Sequence, residues 1–192
     1  GWEVSGVNVP AARLSGDYFD YVEVDDRRTG IVVADVSGKG VSASLIVATC
    51  RSFLRTHAAG AVSPAEVLSR LNRQLLPDIR EDMFVSMVYL VLEHDSPRVV
   101  MARAGHDAPL VCVPGGNGIR KLNPPGLALG IDGGEVFDRV TGDYEFEMAP
   151  GECLLLYTDG AVEAVDAEGV EFGLERLMVS LRGAAGAGGA AV

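Results

Sequence analysis

Gly30-Ile31-Val32-Val33-Ala34-Asp35-Val36-Ser37-Gly38-Lys39-Gly40 is the stretch on which the reading of this 192-residue chain turns. Its first half is a short continuous apolar run, the pattern of a strand covered on both faces. The run ends on a carboxylate, and the glycines just beyond let the backbone bend sharply away. The same design recurs where the apolar residues 153–158 run into Asp159-Gly160. A third acidic residue has similar punctuation in Ser15-Gly16-Asp17-Tyr18-Phe19-Asp20. Asp-Gly is also ordinary hairpin chemistry, so spacing alone does not bring the three together.

Outward from this stretch, the periodicity predicts strands over residues 2–9, 18–24 and 30–36. A helix is expected over 42–57, with Leu45, Ile46, Thr49, Phe53 and Leu54 as its apolar stripe. After a turn at 58–62, Ser63-Pro64-Ala65-Glu66 reads as a capping box with proline at the first helical position. Val67, Leu68, Leu71, Leu75 and Leu76 supply the buried face of that second helix. From Met83 the pattern turns to strands, at 84–92, 98–104 and 110–113. The short links 94–97 and 105–108 indicate antiparallel neighbours and not crossover helices. Loops at 114–117 and 123–125, strands at 137–148 and 153–158, and a helix over 172–182 complete an α+β layered architecture.

A net charge of −11 and a pI near 4.6 disfavour nucleic acid and anionic membrane as partners. Cys50, Cys112 and Cys153 are odd in number, lack CxxC spacing and sit in apolar stretches, as buried thiols of a cytoplasmic protein do. No run approaches the length of a membrane span and no signal peptide opens the chain. A start at Gly1-Trp2 reads as a piece of a longer protein.

Should the three carboxylates converge to roughly 5 Å, each pair would repel by about 3 kcal/mol at an effective dielectric near 20. Bound cations relieve such a cluster, and all-oxygen donors select the hard ions Mg²⁺ or Mn²⁺ over zinc. Two rival motifs fail. A phosphate loop needs glycine five residues before Gly38 and a hydroxyl after Lys39, where this chain has Val33 and Gly40. A nucleophile elbow needs glycine two residues before Ser37, where Asp35 stands. His106, in Ala104-Gly105-His106-Asp107-Ala108-Pro109, reads either as a hydrogen-bonded structural residue or as an acid–base group, the structural role favoured.

Taken together, these segments resemble the SpoIIE-type branch of the PPM (protein phosphatase 2C-like) metal-dependent serine/threonine phosphatases. The matching pieces are 15–20, Ala34-Asp35-Val36-Ser37-Gly38-Lys39-Gly40, Met83-Phe84, 104–109, Leu129-Gly130, 156–164 and 172–177. They occur in family order and cover the chain to about Leu181. Ser15 departs from the family's double glycine.

The resemblance implies a four-layer αββα sandwich of two antiparallel sheets flanked by helices, with two Mn²⁺ or Mg²⁺ ions at one end. It implies that Asp35 bridges both ions, that the Val36 carbonyl adds a ligand, that Asp159 holds one ion, and that Asp17 acts directly or through water. These aspartates are then the catalytic as well as the metal residues, because the nucleophile is a metal-activated water. It further implies a phosphoserine or phosphothreonine protein as substrate, commonly an anti-anti-sigma (STAS-domain) factor in bacterial stress or developmental signalling. A sensor domain fused upstream is expected, and a homodimer is allowed. The family pattern places an Asp-Asp-x-Thr strand beyond Val192. Residues 1–182 are therefore expected to form a phosphatase domain short of its last strand, with 183–192 a flexible Gly/Ala-rich end. The alternative on the same residues is an inactive pseudophosphatase that binds a partner.

Overall fold

Residues 28–36 extend because their β-branched and apolar side chains suit a pleated surface, and they form the second strand of a hairpin. The computed structural model describes residues 1–9, 15–113 and 118–185, and its contacts divide the chain into two compact units. The larger comprises Gly1, Val7–His106 and Pro124–Glu147. Its chain order is β1 (Asp17–Asp25), β2 (Arg28–Val36), α1 (Val41–Ala58), α2 (Pro64–Leu75), β3 (Val85–Glu93) and β4 (Arg98–Ala104).

The expected strand at 2–9 is not formed. Those residues carry no ladder, and Val7 and Val9 lie 77% and 83% exposed. A strand needs a partner for its backbone, and apolar alternation alone does not provide one.

α1 and α2 pack on the sheet's helix face, where Val32, Ala34, Val36, Val85, Met87 and Tyr89 meet Ile46, Leu54, Leu68 and Leu71. The stripe of α1 is offset from the predicted one. Ala43, Ile46, Cys50, Leu54 and Ala58 are buried, while Leu45 is 63% exposed. Ala43, Cys50 and Ala58 let the helix approach the sheet closely, while Ile46 and Leu54 fill the space beside them. Burial pushes the Cys50 thiol up to about 12, which keeps it protonated. At the start of α2, the Ser63 Oγ accepts from the Glu66 amide at 3.1 Å, as predicted, and Arg70 engages the Glu66 carboxylate. Asp20 of β1 ties the sheet to α1 through Arg55, whose Nε and Nη2 each donate to it at 2.7 Å.

Residues 137–148 do not form one strand. Asp132 Oδ1 accepts from the amides of Gly134, Val136 and Phe137, starting a short helix, and only the remainder pairs with the sheet.

The smaller unit comprises Trp2–Gly6, Asp107–Asn123 and the chain from Met148 onward. It contributes β5 (Leu110–Cys112) and β6 (Ile119–Lys121). In chain order α3 (Glu135–Val140) and β7 (Tyr144–Glu147) of the larger unit follow, then β8 (Cys153–Leu155), α4 (Gly160–Glu163) and α5 (Gly173–Ala184). The larger sheet runs β1-β2-β3-β4-β7 and the smaller β6-β5-β8, every pairing within them antiparallel.

The 153–158 run is a strand only to Leu155. α5 packs Leu174, Leu177, Met178 and Leu181 against Leu110, Cys112 and Leu155. Cys112 and Cys153 lie opposite each other across β5 and β8 as free thiols. α5 continues to Ala184, beyond the expected boundary at 182. The loop expected at 114–117 and most of the Gly/Ala-rich end, 186–192, lie outside the described residues. Among the described residues no helix is long and apolar enough to cross a membrane.

Candidate metal centre

Asp17 opens β1 and Asp35 is the penultimate residue of β2, and the hairpin register sets them directly opposite each other. Paired residues of an antiparallel ladder project to the same side. The even-numbered residues Tyr18, Val22 and Val24 of β1, and Val32, Ala34 and Val36 of β2, fill the helix-side core. Asp17 and Asp35 therefore project from the opposite face. Both are half-buried, and a carboxylate oxygen of each lies within 4.8 Å of the other's.

Asp17 shows what this corner of the sheet calls for. Its Oδ2 accepts from the Ser15 hydroxyl at 3.3 Å, and that hydroxyl in turn accepts from the Asp17 amide at 3.0 Å. Its Oδ1 is buried with no hydrogen-bond partner. A carboxylate oxygen can only accept, so a buried one needs a donor or a cation. An oxygen-only donor pair of this kind fits a hard divalent ion.

Gly16 keeps the approach open. A Cβ there would stand 2.6 Å from the Val36 carbonyl oxygen and 3.2 Å from Asp35 Oδ1. Only a residue without a side chain lets the 15–17 turn run against that carbonyl, and the Val36 amide donates to the Gly16 carbonyl at 3.2 Å. Beyond Val36, Ser37 staples the turn to the entry of β3. Its amide donates to the Phe84 carbonyl at 2.9 Å, and its Oγ accepts from the Phe84 amide at 2.7 Å. Ser37 thus has a structural bond, in keeping with its exclusion as a nucleophile.

Asp159 belongs to the smaller unit. It is exposed, lies four residues past β8, and precedes α4, its carbonyl accepting from the Val162 and Glu163 amides at 2.8 Å each. His106 is 4% exposed, and its Nδ1 stands 2.7 Å from the Ser86 Oγ, as a hydrogen-bonded structural histidine would. Sequence reading passed over Ser86. Its position opposite Asp35 on β3 appears only once the register is known.

Residues 25–191 match the family model described as stage II sporulation protein E (SpoIIE). The chain is 30% identical over 161 residues to the phosphoserine phosphatase RsbU of Bacillus subtilis, covering 84% of this chain and 47% of that protein. It spans less than half the length of the curated relatives it matches. Among solved structures it is similar to the SiaA-PP2C domain of Pseudomonas aeruginosa, with a TM-score of 0.75 at 22% identity, over 92% of this chain and 69% of that one. It is also similar to RsbX in complex with magnesium, with a TM-score of 0.64 at 18% identity, over 91% and 82% of the two chains. The two antiparallel sheets with their helices are the fold of PP2C-like phosphatases.

Proposed function

The chain belongs to the SpoIIE family, and on that premise we propose that it is the metal-dependent phosphoserine/phosphothreonine phosphatase domain of a bacterial signalling protein. The observation that carries the reading is the in-register pair Asp17–Asp35, with one buried carboxylate oxygen of Asp17 left without a partner. In this reading Asp17, Asp35, Asp159 and the Val36 carbonyl are the oxygen donors for two Mn²⁺ or Mg²⁺ ions. The ions, when bound, lower the pKa of a coordinated water and neutralise the phosphate during in-line attack. Asp35, fixed by strands on both sides, would be a principal donor to the ions. Asp17, braced by Ser15, holds the second side of the site, and Gly16 keeps the Val36 carbonyl accessible. No side-chain nucleophile is required.

RsbU is named a phosphoserine phosphatase, and a similar solved chain from Mycobacterium tuberculosis carries RsbU and RsbW domains together. The substrate that the motif resemblance implies, and that we propose, is a phosphorylated STAS-type anti-anti-sigma protein met in the cytoplasm.

The test is Mn²⁺-dependent release of phosphate from a phosphoserine STAS protein, compared between wild type and Asp35→Asn. Loss of the Asp35 carboxylate is expected to lower the rate by about 10³-fold, on the scale of a few kcal/mol of transition-state stabilisation. Equal rates in the two proteins, or hydrolysis undiminished by a chelator, would overturn the assignment. Metal uptake without hydrolysis would point to the partner-binding alternative.

A further inference from the structure

One row of side chains crosses the end of the larger sheet. Asp17 of β1 faces Asp35 of β2, and Asp35 faces Ser86 of β3. Val85, Met87, Tyr89 and Val91 of β3 fill the helix-side core, so Ser86 projects from the other face, alongside Asp35. Directly opposed residues hold their Cβ atoms about 4.5–5.5 Å apart, within reach of a hydroxyl-to-carboxylate hydrogen bond. Beyond Ser86 the row continues to His106, whose Nδ1 lies 2.7 Å from the Ser86 Oγ.

The backbone that carries His106 is held in a fixed turn. Gly105 adopts φ +66, and a Cβ there would meet the Ala128 amide nitrogen at 2.8 Å, so the chain turns tightly just before His106. Arg103 donates to the His106 carbonyl at 2.5 Å and to the Pro124 carbonyl at 2.9 Å, which anchors that turn. A histidine 4% exposed and fixed this firmly presents Nδ1 to Ser86 in one geometry.

We propose that Ser86, oriented by His106, is a positioning residue that donates its hydroxyl proton to the Asp35 carboxylate and aims it at the metal. In this arrangement the Nδ1–H of His106 would donate to Ser86 Oγ, leaving the Ser86 proton free to be directed at Asp35. The opposite direction would turn oxygen lone pairs toward an anion. Carboxylates that bind metal are themselves held by hydrogen bonds, and removing such a partner costs about 10–100-fold in metal affinity. This inference rests on the reading of Asp35 as a metal ligand.

The experiment is Mn²⁺ titration by calorimetry, with thermal unfolding of each variant alongside. Ser86→Ala is expected to weaken Mn²⁺ binding about 10–100-fold with an almost unchanged melting temperature, and Ser86→Thr, which restores the hydroxyl, to retain it within about 3-fold. His106→Ala is expected to weaken binding similarly, and the double variant no further than either single one, because both act along one path. Should His106→Ala unfold, the Ser86 pair decides by itself. Ser86→Ala binding Mn²⁺ like the wild type, or Ser86→Thr as weak as Ser86→Ala, overturns the inference while the metal reading stands. A wild type that takes up no Mn²⁺ overturns the metal reading, and this inference with it.

Discussion

Asp35 and Asp159 each follow a short apolar run and precede a glycine, yet the two units carry them differently. Asp35 sits within a nine-residue strand paired on both sides, by Asp17 and by Ser86. Asp159 lies four residues beyond a three-residue strand, exposed, at the start of a helix of four. The units differ in the same sense in their cores. Around α1 and α2 a broad cluster runs from Tyr18 to Phe137, whereas around α5 the buried set is Leu110, Cys112 and Leu181. A ladder on both sides fixes a carboxylate's position before any ligand arrives, while a turn fixes it only as well as its neighbours pack.

Core truncation gives the widest expected difference. Leu71→Ala, fully buried between helix and sheet, is expected to cost about 4 kcal/mol in urea unfolding, and Leu181→Ala about 2, because the thinner cluster can relax around the gap. Equal costs would break the contrast.

Glycines sharpen it at the turns. Gly16→Ala would drive a methyl against the Val36 carbonyl, which is backbone and cannot rotate aside. About 1–3 kcal/mol of stability is expected to go, together with part of the Mn²⁺ uptake. At Gly160 a Cβ would meet only the Thr158 Oγ1, at 3.9 Å, so Gly160→Ala should stay within about 0.5 kcal/mol. A neutral Gly16→Ala would show that the 15–17 turn does not press on β2.

Ion pairs give the smallest effect. Burial raises the Asp20 carboxyl, but the Arg55 hydrogen bonds and the charges of Arg55 and Arg51 outweigh it and hold it below the usual 3.8. The unfolded chain then binds more protons than the folded one in that range, so this stability is present above the unfolded value and lost as pH falls through the folded one. Asp20→Asn is expected to cost under about 1 kcal/mol at neutral pH and to flatten the stability profile below about pH 4. In the smaller unit Arg120 stands 3.7 Å from Glu152, and Glu152→Gln should cost roughly 0.3 kcal/mol or less. Unfolding curves across pH check both, and an acid limb unchanged by Asp20→Asn would remove the clamp from the account.

What was legible in the sequence follows from local chemistry. The apolar run at 30–36, the Ser63 cap and the 3.6-residue periodicity of Val67, Leu68, Leu71 and Leu75 placed their elements within a residue or two. The 2–9 segment misled because alternation says nothing about whether a partner strand is present. The 137–148 segment misled because Asp132, five residues upstream, gathers the Gly134, Val136 and Phe137 amides and starts a helix that outranks the apolar pattern. The stripe of α1 kept Ile46 and Leu54 but turned partly aside, with Ala43, Cys50 and Ala58 buried in place of Leu45 and Thr49.

The sequence by itself determined the donor chemistry. Three aspartates, each with a glycine within three residues, and the order of the surrounding motifs can be read without coordinates, because residue type and spacing along one chain carry that information. Only the tertiary structure decided which groups stand side by side. The register that sets Asp17, Asp35 and Ser86 across three strands, and the orphaned Asp17 oxygen among them, depends on pairings between residues 18 positions apart (17 with 35) and 51 positions apart (35 with 86). Hydrogen bonds between strands, not any local preference, choose that alignment, and a shift of one residue would turn every one of these side chains to the opposite face.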